Sequence, residues 1–434
     1  MRQCLSILLS LMLLLSGVYA LAEAPAESYV DYAGQLGLNM ASETVKAQVT
    51  VKTFIDGDTV HFYAPGVTEN GVLKARFLAV NTPETTGKIE EYGKAAAAYT
   101  RNALENAVSI IVESDNGVWN LDSTGERYLV WVWYQPEEGA PYRCLNLELL
   151  QNGLCIANST ANNRYGSTCM NALNQARAMK LLVYSGKPDP DFYYGDAVEL
   201  TLRELRTNLE VYNGVKVAFN GVVTMNSNNA VYVESFDPES GLYYGMSVYY
   251  GFGLSGKGLN ILGVGNEVRI VGTVQYYEAG GTWQVSGLTY RMMKPKDPGN
   301  IQLLSEGHLP AYVLTDAVTF ATGNVTLTQE EGEKTFPYAE LAVATSIEMQ
   351  GLHVVDVYTT ANEDSSSNGA MTLTCETDGV TVYVRTAVLT DAQGNLVTAD
   401  AFLGKTIDVR GVVDFFDGHH QVKVLTYNNI TIHD

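Results

Sequence analysis

The sequence is poor in histidine and cysteine, which narrows the chemistry open to it. Its 434 residues include six histidines and five cysteines, with no Cys-x-x-Cys pair and no mixed Cys/His cluster. A zinc site is therefore not expected. No Ser/His/Asp or Cys/His arrangement is recognisable, so a protease-type nucleophile is not predicted. After the N-terminus no run reaches about 18 apolar residues, which argues against a transmembrane helix.

The N-terminal apolar stretch is typical of a secretory signal. Arg2 supplies a positive charge, the apolar stretch extends from Leu5 to Leu15, and alanines at positions 20 and 22 form a small-x-small cleavage site. The stretch is too short to span a bilayer. We therefore predict a signal peptide at residues 1–22 and a secreted, extracellular protein that is not inserted in a membrane.

Four cysteines would remain after cleavage: Cys144, Cys155, Cys169 and Cys375. In an oxidising compartment a disulfide such as Cys155–Cys169 is one alternative. Buried free thiols are at least as good an interpretation, and the sequence leaves the two open.

Acidic residues are concentrated in the second half of the chain. The formal net charge is −21 at pH 7. Residues 46–187 contain 13 basic and 14 acidic side chains, whereas residues 188–434 contain 13 and 30. An acidic surface is poorly suited to sequence-independent binding of a polyanion. Residues 46–187 are close to neutral, so this argument does not apply to them.

One set of residues in the front part combines oxygen ligands, a further carboxylate and two arginines. The set comprises Asp56-Gly57-Asp58-Thr59, Arg76, Asn81-Thr82-Pro83-Glu84 and Arg127. Oxygen ligands can hold a hard cation that orients a phosphate and polarises water, and a carboxylate can take the proton of that water. Arginine matches phosphate bidentately and stays charged at any working pH. The combination predicts phosphodiester cleavage assisted by a hard cation.

Taken one by one, the same residues have simpler interpretations. Asp-Gly is an ordinary hairpin connection. Residues 82–84 have the pattern of a helix start, with threonine at the N-cap, proline at the first helical position and an acid in the first turn. Single arginines on strands are usually solvated or paired with an acid. The order and spacing of the whole set favour the catalytic interpretation.

This order resembles the thermonuclease family, the secreted calcium-dependent nucleases related to staphylococcal nuclease. The resemblance runs from about Val45 to Lys187. The segments that carry it are VKTFIDGDTVHF (51–62), ARFLAVNTPE (75–84), YGKAAAAYTRNALENA (92–107), GERYLVWVW (125–133), LNLELLQNGLCIA (145–157) and NALNQARAMKLLVYSG (171–186). The resemblance implies a calcium-dependent nuclease acting on DNA and RNA.

The resemblance implies a ligand set for Ca²⁺. Asp58 would be the carboxylate ligand, Asn81 a side-chain oxygen ligand and Thr82 a backbone oxygen ligand. Asp56 and Thr59 would support these ligands without binding the ion. Asn81 falls where staphylococcal nuclease has an aspartate, so the ion should be held more weakly than by two aspartates. Extracellular calcium modules work with dissociation constants of about 10⁻⁴–10⁻³ M, so weak binding suits a secreted enzyme.

The resemblance also implies the catalytic roles. Glu84 would be the general base that activates water, and Arg76 and Arg127 would clamp the phosphate and stabilise the transition state. The family's chemistry breaks the bond to the 5′ oxygen and leaves a 3′-phosphate. Here one extra residue, Glu126, separates Gly125 from Arg127, so the loop that carries this arginine differs in shape.

A second functional interpretation remains beside the enzymatic one. The two tyrosines that flank the nucleotide in staphylococcal nuclease fall at Thr124 and Asn158, and Trp119 or Tyr128 would have to supply a stacking face. Together with Asn81, this departure fits a catalytically weak or inactive extracellular protein that binds nucleic acid or polysaccharide.

The periodicity of the sequence predicts a mainly β protein. From Val45 apolar and polar residues alternate as in strands, Tyr92 to Ala103 recur at helical spacing, and Leu145 to Gln151 reads as a short helix ended at Gly153. The resemblance implies an OB-like five-stranded barrel with three helices. The prediction by segment is a signal peptide (1–22), a polar lead-in (23–44), the thermonuclease-like domain (45–187), a linker (188–199), an OB-like module (200–295), a linker (296–310) and a second OB-like module (311–434).

The two predicted modules rest on an internal repeat. Val268–Tyr277 and Ile407–Phe416 have similar patterns, and each is followed by a glycine and a Gln-Val pair. Repeated units of strands and Gly/Asn turns argue for two small β-barrels of OB type, with a two-sheet sandwich as the structural rival. Tyrosines are frequent and basic residues scarce in the first module, so we interpret the modules as spacers or substrate-presenting units. Contact with cell wall or polysaccharide is the alternative.

Overall fold

The protein is described by a computed structural model that covers residues 28–433 except 86, 228, 252–253, 279, 330–331, 363–364 and 366. The predicted signal peptide at residues 1–22 lies outside the described residues. Strands hold 40% of the residues and helices 17%, so the protein is mainly β as predicted. No helix in the described part of the chain is long and apolar enough to cross a membrane.

The front domain is a closed five-stranded barrel with helices around it. Its strands are β1 (Lys46–Phe54), β2 (Thr59–Tyr63), β3 (Val72–Phe77), β4 (Val80–Asn81), β5 (Ser109–Glu113), β6 (Tyr128–Gln135), β7 (Arg143–Cys144) and β8 (Ile156–Ala157). Its helices are α1 (Tyr32–Gln35), α2 (Gly93–Glu105), α3 (Leu145–Gln151) and α4 (Gly166–Ala178). The barrel closes because β3 pairs in parallel with β6, while the other pairs β1–β2, β2–β3, β5–β6 and β1–β5 are antiparallel.

Large side chains fill the front barrel, since alternate residues of each strand point inward. Phe62, Phe77, Trp131 and Trp133 are fully buried. Each buried side chain of this size contributes about 2–3 kcal/mol relative to an exposed one. The four cysteines of the described chain are free and buried. The free-thiol alternative is therefore the one observed.

The segment predicted as a polar lead-in is an integral part of the front domain. Ala33 in α1 is fully buried, and Asp31 accepts two hydrogen bonds from Arg143, both at 2.9 Å. The last predicted helix differs too: α4 begins at Gly166 and ends at Ala178, because Lys180 and Leu182 adopt left-handed backbone angles (φ +53° and +36°) that stop a helix.

The middle module is a second closed barrel. Its strands are β9 (Val198–Glu199), β10 (Lys216–Ser227), β11 (Ala230–Asp237), β12 (Leu242–Tyr249), β13 (Glu267–Tyr277), β14 (Thr282–Ser286) and β15 (Gln302–Ser305), with helices α5 (Leu202–Thr207) and α6 (Lys257–Ile261). Both predicted linkers contribute to it: β9 adds to β10 and β15 adds to β13. Two residues of the first predicted linker and four residues of the second are therefore parts of the sheet.

The rear module is the third closed barrel. Its strands are β16 (Val313–Leu314), β17 (Asn324–Gln329), β18 (Gly332–Pro337), β19 (Ser346–Thr359), β20 (Met371–Thr377), β21 (Val380–Thr386), β22 (Thr406–Phe416), β23 (His419–Val424) and β24 (Ile430–His433), with α7 (Ala317–Thr322) and α8 (Tyr338–Ala342). Barrel closure by a parallel pair recurs as β12–β14 and β21–β23. All three barrels thus share one strand order, the OB-like order, and the sandwich alternative is wrong.

The internal repeat corresponds to equivalent strands of the middle and rear barrels. Tyr276 lies opposite Trp283 in the β13–β14 pair, and Phe415 lies opposite His420 in the β22–β23 pair. A Cβ atom at Gly272 or Gly411 would lie 2.6 Å or 2.4 Å from a carbonyl oxygen of the next strand. The glycine recurs in the repeat because each barrel brings two backbones together there.

Candidate active site

The Asp-Gly turn after β1 places Asp58 inside the front domain. Asp58 is fully buried, and its backbone N–H donates to Asp56 Oδ1 at 3.0 Å. The Thr59 hydroxyl donates to Asp58 Oδ1 at 3.0 Å. A Cβ at Gly57 would lie 2.9 Å from atoms of Ala96 and Thr82. The glycine is therefore required by packing against α2, beyond its usual role in a turn.

Arg76 binds both predicted side-chain ligands of the cation. It lies opposite Thr59 in the β2–β3 pair, next to the Asp58 turn. One terminal nitrogen, Nη1, forms an ion pair with Asp58 Oδ1, and Nη2 donates to Asn81 Oδ1 at 2.5 Å. Since one planar group reaches both oxygens, these oxygens face a common small space.

The Asn81-Thr82 segment is held against Asp58 by strand pairing and by one hydrogen bond. Asn81 lies in β4, which pairs with β8 opposite Ile156. The Thr82 backbone N–H donates to Asp58 Oδ2 at 2.7 Å. Both oxygens of Asp58 are therefore in use, and the structure brings together the predicted ligand residues Asp58, Asn81 and Thr82 with their predicted supports Asp56 and Thr59. We refer to these five residues and Arg76 as the Asp58 cluster.

Burial governs the protonation of Asp58. Burial and the neighbouring Asp56 carboxylate raise the pKa of Asp58 to about 7, although Arg76, the Thr82 N–H and the Thr59 hydroxyl act in the opposite direction. A buried carboxylate beside a second one is stabilised by any added positive charge. The cluster is thus electrostatically suited to a cation.

Glu84 lies beside the cluster in a closed loop. Its backbone N–H donates to Glu90 Oε2 at 3.1 Å, and its carbonyl accepts from the Glu90 N–H at 3.0 Å. A Cβ at Gly93, the first residue of α2, would lie 2.7 Å from the Glu84 carbonyl oxygen. Glycine at the start of α2 therefore allows the loop to approach the helix.

The carboxylate of Glu84 is influenced by the charges of the other predicted catalytic groups. It is half-buried, and burial followed by the Asp56 charge raises its pKa, while Arg76 and Arg127 lower it. The protonation of the predicted base therefore depends on both predicted phosphate ligands as well as on a neighbouring carboxylate.

Arg127 is oriented by an acid that the sequence did not single out. It precedes β6, whose parallel pairing with β3 places Leu129 opposite Arg76. Arg127 Nη2 lies 2.6 Å from Asp122 Oδ2, and its Nε donates to the same oxygen at 2.7 Å. Although burial opposes it, hydrogen bonds from Thr124 and Arg127 lower the pKa of Asp122 to about 2. Asp122 therefore stays ionised and keeps Arg127 in place.

The residues expected to flank a nucleotide are arranged differently from a pair of exposed rings. Thr124 is exposed and donates its hydroxyl to Asp122, so it offers no aromatic face. The rings of Trp119 and Tyr128 meet edge to face, with centroids 6.5 Å apart, and both pack partly against the barrel core. A nucleotide base that stacked at this position would therefore meet the edges of the two rings and only part of one ring face.

The donor set fits a hard cation. In the described part of the chain no group of three or more His, Cys, Asp or Glu residues could hold a metal ion. The predicted ligand set is of a different kind, because it combines one carboxylate with an amide oxygen and a backbone carbonyl. The guanidinium of Arg76 contacts the side-chain oxygens of Asp58 and Asn81 as a cation would. Oxygen donors of this type are those that Ca²⁺ prefers.

Sequence reasoning did not identify Glu90 and Asp122. Glu90 closes the loop behind Glu84, and Asp122 orients Arg127. Both are ordinary acidic residues in irregular segments. Their roles depend on the path of those loops, and the spacing of Asp122 five residues before Arg127 is the single local signal.

The front domain thus combines an OB-like barrel with a buried cluster of oxygen-bearing residues bound by an arginine. In agreement, residues 74–185 match the model of the family described as Staphylococcal nuclease homologue. The match includes Arg76, Asn81, Glu84 and Arg127, and it begins after Asp58. The chain therefore carries a staphylococcal nuclease-like domain, followed by two further OB-like barrels.

Proposed function

We propose that the protein is a secreted, calcium-dependent nuclease that hydrolyses phosphodiester bonds of DNA and RNA. The observation that carries the proposal is that Arg76 binds both the buried Asp58 and Asn81, the two predicted side-chain ligands of the ion. The match of residues 74–185 to the nuclease family supports it. Secretion rests on the apolar N-terminal stretch, and N-terminal sequencing of exported protein would test cleavage after residue 22.

In the proposed mechanism Glu84 is the general base. Burial raises its pKa, which makes its carboxylate a better proton acceptor than an exposed glutamate. It takes a proton from the attacking water as the water oxygen bonds to phosphorus. The bond from phosphorus to the 5′ oxygen breaks, the departing 5′ oxygen takes a proton from solvent water, Glu84 returns its proton to solvent, and a 3′-phosphate remains. Arg127, oriented by Asp122, binds the phosphate oxygens on which charge accumulates.

Arg76 must move during the proposed reaction. In the structure its guanidinium is bound to Asp58 and Asn81. Bound Ca²⁺ would supply positive charge to these oxygens and to the phosphate. Asp58, Asn81 and the Thr82 backbone oxygen would hold it, and Arg76 would then be released to contact the phosphate beside Arg127.

The test is a digestion assay on the protein without its signal peptide. We expect degradation of single-stranded DNA and of RNA in millimolar Ca²⁺, and complete loss of cleavage when a calcium chelator is added. Restoration by excess Ca²⁺ controls for damage by the chelator. Cleavage that resists the chelator would contradict the calcium assignment, and absence of cleavage at every Ca²⁺ concentration would contradict the nuclease function.

The second candidate is a nucleic-acid-binding protein without turnover. The observation in its favour is that Arg76 fills the space between Asp58 and Asn81, where an amide replaces the charge of a second aspartate. Such a protein would bind single-stranded DNA in the presence of the chelator and leave it intact.

A further inference from the structure

The loop that carries Glu84 contacts the middle module as well as its own domain. This Glu84 loop comprises residues 84–91, of which residue 86 is not described. Its described residues form no helix or strand, and within the front domain the loop is closed by the two hydrogen bonds between Glu84 and Glu90. At its far end the Tyr92 N–H donates to Asp189 Oδ2 at 2.5 Å. The part between these anchors lies against the middle barrel.

Gln275 of the middle barrel binds the residue next to Glu84. Its Nε2 donates to the backbone carbonyl of Thr85. The Oε1 atom of the same amide accepts from the Ser286 hydroxyl. Because the Thr85 carbonyl can only accept, the amide must present its nitrogen to the loop. The chain of contacts Ser286–Gln275–Thr85 therefore connects strands β14 and β13 to the residue that follows Glu84.

The surface of the middle barrel is shaped to receive the loop. A Cβ at Gly87 would lie 3.8 Å from the Tyr249 ring, and the backbone of Gly87 has φ +70°. A Cβ at Gly287 would lie 3.7 Å from both the Gly87 carbonyl oxygen and the Ile89 side chain. A methyl group added at either glycine would thus just reach the opposite surface, so Gly87 and Gly287 lie at the boundary between the loop and the middle barrel.

A second contact between the two domains lies away from the loop. Arg101 in α2 forms an ion pair with Glu278, which follows β13, and its guanidinium lies over the Phe54 ring at 4.4 Å. This contact binds the middle barrel to the helix side of the front domain. The two domains are thus joined both at the Glu84 loop and at α2.

The rear barrel uses the equivalent position in the same way. Asp414 corresponds to Gln275 in the repeat, since each lies opposite a glutamine of the next strand. Lys423 lies 3.2 Å from Asp414 and donates to the Tyr232 hydroxyl of the middle barrel at 3.0 Å. The same position on the fourth barrel strand, Gln275 in β13 and Asp414 in β22, therefore takes part in the contact between each module and the barrel that precedes it in the chain.

We infer that the middle module is part of the catalytic unit, and that Gln275 is a positioning residue for Glu84. The inference rests on the proposed nuclease function and extends it to a residue outside the nuclease-like domain. Gln275 holds the Thr85 carbonyl, which fixes the backbone one residue after Glu84 and so limits how far Glu84 can move. Displacement of a catalytic group by about 1 Å can lower a rate by roughly 100-fold. A base on an irregular loop therefore gains from an external support.

The test compares Gln275→Met and Gln275→Glu with the control Glu278→Gln, all in the chain without its signal peptide. Methionine keeps the length and loses the donor, and glutamate sets a carboxylate against the Thr85 carbonyl. We expect kcat to fall about 10-fold in Gln275→Met and further in Gln275→Glu, with KM within about 2-fold of wild type. Glu278→Gln alters the same interface at Arg101 and should leave kcat unchanged.

Hydrogen exchange of the Glu84 loop provides a readout independent of activity. Amides of residues 84–91 should exchange faster in both Gln275 variants and at the wild-type rate in Glu278→Gln. Unchanged kcat in Gln275→Met, with or without faster exchange, would overturn the inference while leaving the nuclease function intact. An equal loss of kcat in Glu278→Gln would overturn it as well, because general weakening of the interface would then explain the effect. A wild-type chain that cleaves no nucleic acid would refute the proposed function itself.

Discussion

The front and rear parts of the molecule share a barrel topology but use buried charge for different purposes. In the front barrel, Asp58 is buried beside Asp56 and Arg76, and Glu84 lies among charges of both signs. In the rear half, Arg206 is buried and donates to the carbonyl oxygens of Gly245 and Val343. Glu234 is also buried there and accepts from the backbone of Ser346.

The difference shows which buried charges are structural. Arg206 donates to a backbone carbonyl of its own barrel, that of Gly245, and to one of the rear module, that of Val343. Glu234 accepts from the backbone N–H groups of Ala311 and Ser346 in the rear module, so both residues join the middle and rear barrels. Met225 and Tyr232 of the middle barrel also pack into the rear core, and Leu327 and Phe336 pack the other way. A buried charge that lies beside other charges can still be stabilised by a bound substrate or ion.

The largest expected effect is loss of catalysis on changing the front charges. Glu84→Gln and Arg127→Ala should each lower kcat by about 10²–10⁴-fold, because one loses the proton acceptor and the other loses the stabilisation of phosphate charge. Their urea unfolding midpoints should stay near that of wild type. Glu69→Gln, which changes an exposed carboxylate of the same barrel, should keep full activity. Retention of activity in Glu84→Gln would reject Glu84 as the base.

The next effect concerns stability and should spare catalysis. Arg206→Met removes the buried donors, and we expect a loss of about 3 kcal/mol of unfolding free energy for the rear half, since hydrogen bonds to charged groups contribute about 1.5–3 kcal/mol each. Burial lowers the pKa of Arg206 to about 10, so part of this loss is offset by removing a buried charge.

The matched control for Arg206 lies three residues earlier on the same helix. Arg203 pairs with Asp237 and Glu239 near the surface, and Arg203→Met should cost less than about 1 kcal/mol. Urea denaturation followed by tyrosine fluorescence would compare the two variants. A larger loss in Arg203→Met would contradict the structural role of Arg206.

The variant Asn81→Asp adds a negative charge to the front site and so tests whether charge at this site governs ion binding. A second carboxylate among the ligands should tighten Ca²⁺ binding by about 10-fold, because ligand charge tunes calcium affinity. Calorimetric titration would measure binding, and kcat at saturating Ca²⁺ should change little. Activity that appears only in the variant would instead favour the binding protein without turnover.

The smallest effect is a pH dependence of stability at Glu234. Burial raises the pKa of Glu234, although hydrogen bonds from Ser346 and Ala311 oppose the shift. Since the folded-state pKa exceeds the unfolded value, this group's stabilising contribution is complete below the unfolded pKa and is lost as the pH rises through the folded pKa. The Tm difference between wild type and Glu234→Gln should therefore shift in favour of the variant as the pH rises above the ordinary glutamate pKa of about 4. A difference that stays constant as the pH rises would contradict the assignment.

Part of the grouping at the front site could be predicted from the sequence, while the catalytic roles stay predictions. Asp58, Arg76 and Asn81 were expected together from residue type and order, and Arg76 contacts both of the others, helped by the β2–β3 register that places Thr59 opposite Arg76. The helix Leu145–Gln151 was predicted at its observed bounds because its apolar spacing and the following Gly153 are local signals.

Other features depend on tertiary packing that the sequence pattern does not encode. The end of α4 is set by left-handed residues Lys180 and Leu182, whose side chains give no local warning. The predicted linkers became strands β9 and β15 because open edges of the middle sheet were available to them. Gln275 contacts Thr85, 190 positions earlier, and such a contact follows from domain docking alone.

Gly93 illustrates a conflict between heat resistance and activity. Replacing a helical glycine by alanine ordinarily gains up to about 1 kcal/mol, and this position opens a helix of 13 residues. Here an added methyl group would strike the carbonyl oxygen of Glu84. Substitutions that raise the thermal stability of this helix would therefore have to lie at other positions. The missing Cβ atom of Gly93 leaves the space that the Glu84 loop occupies.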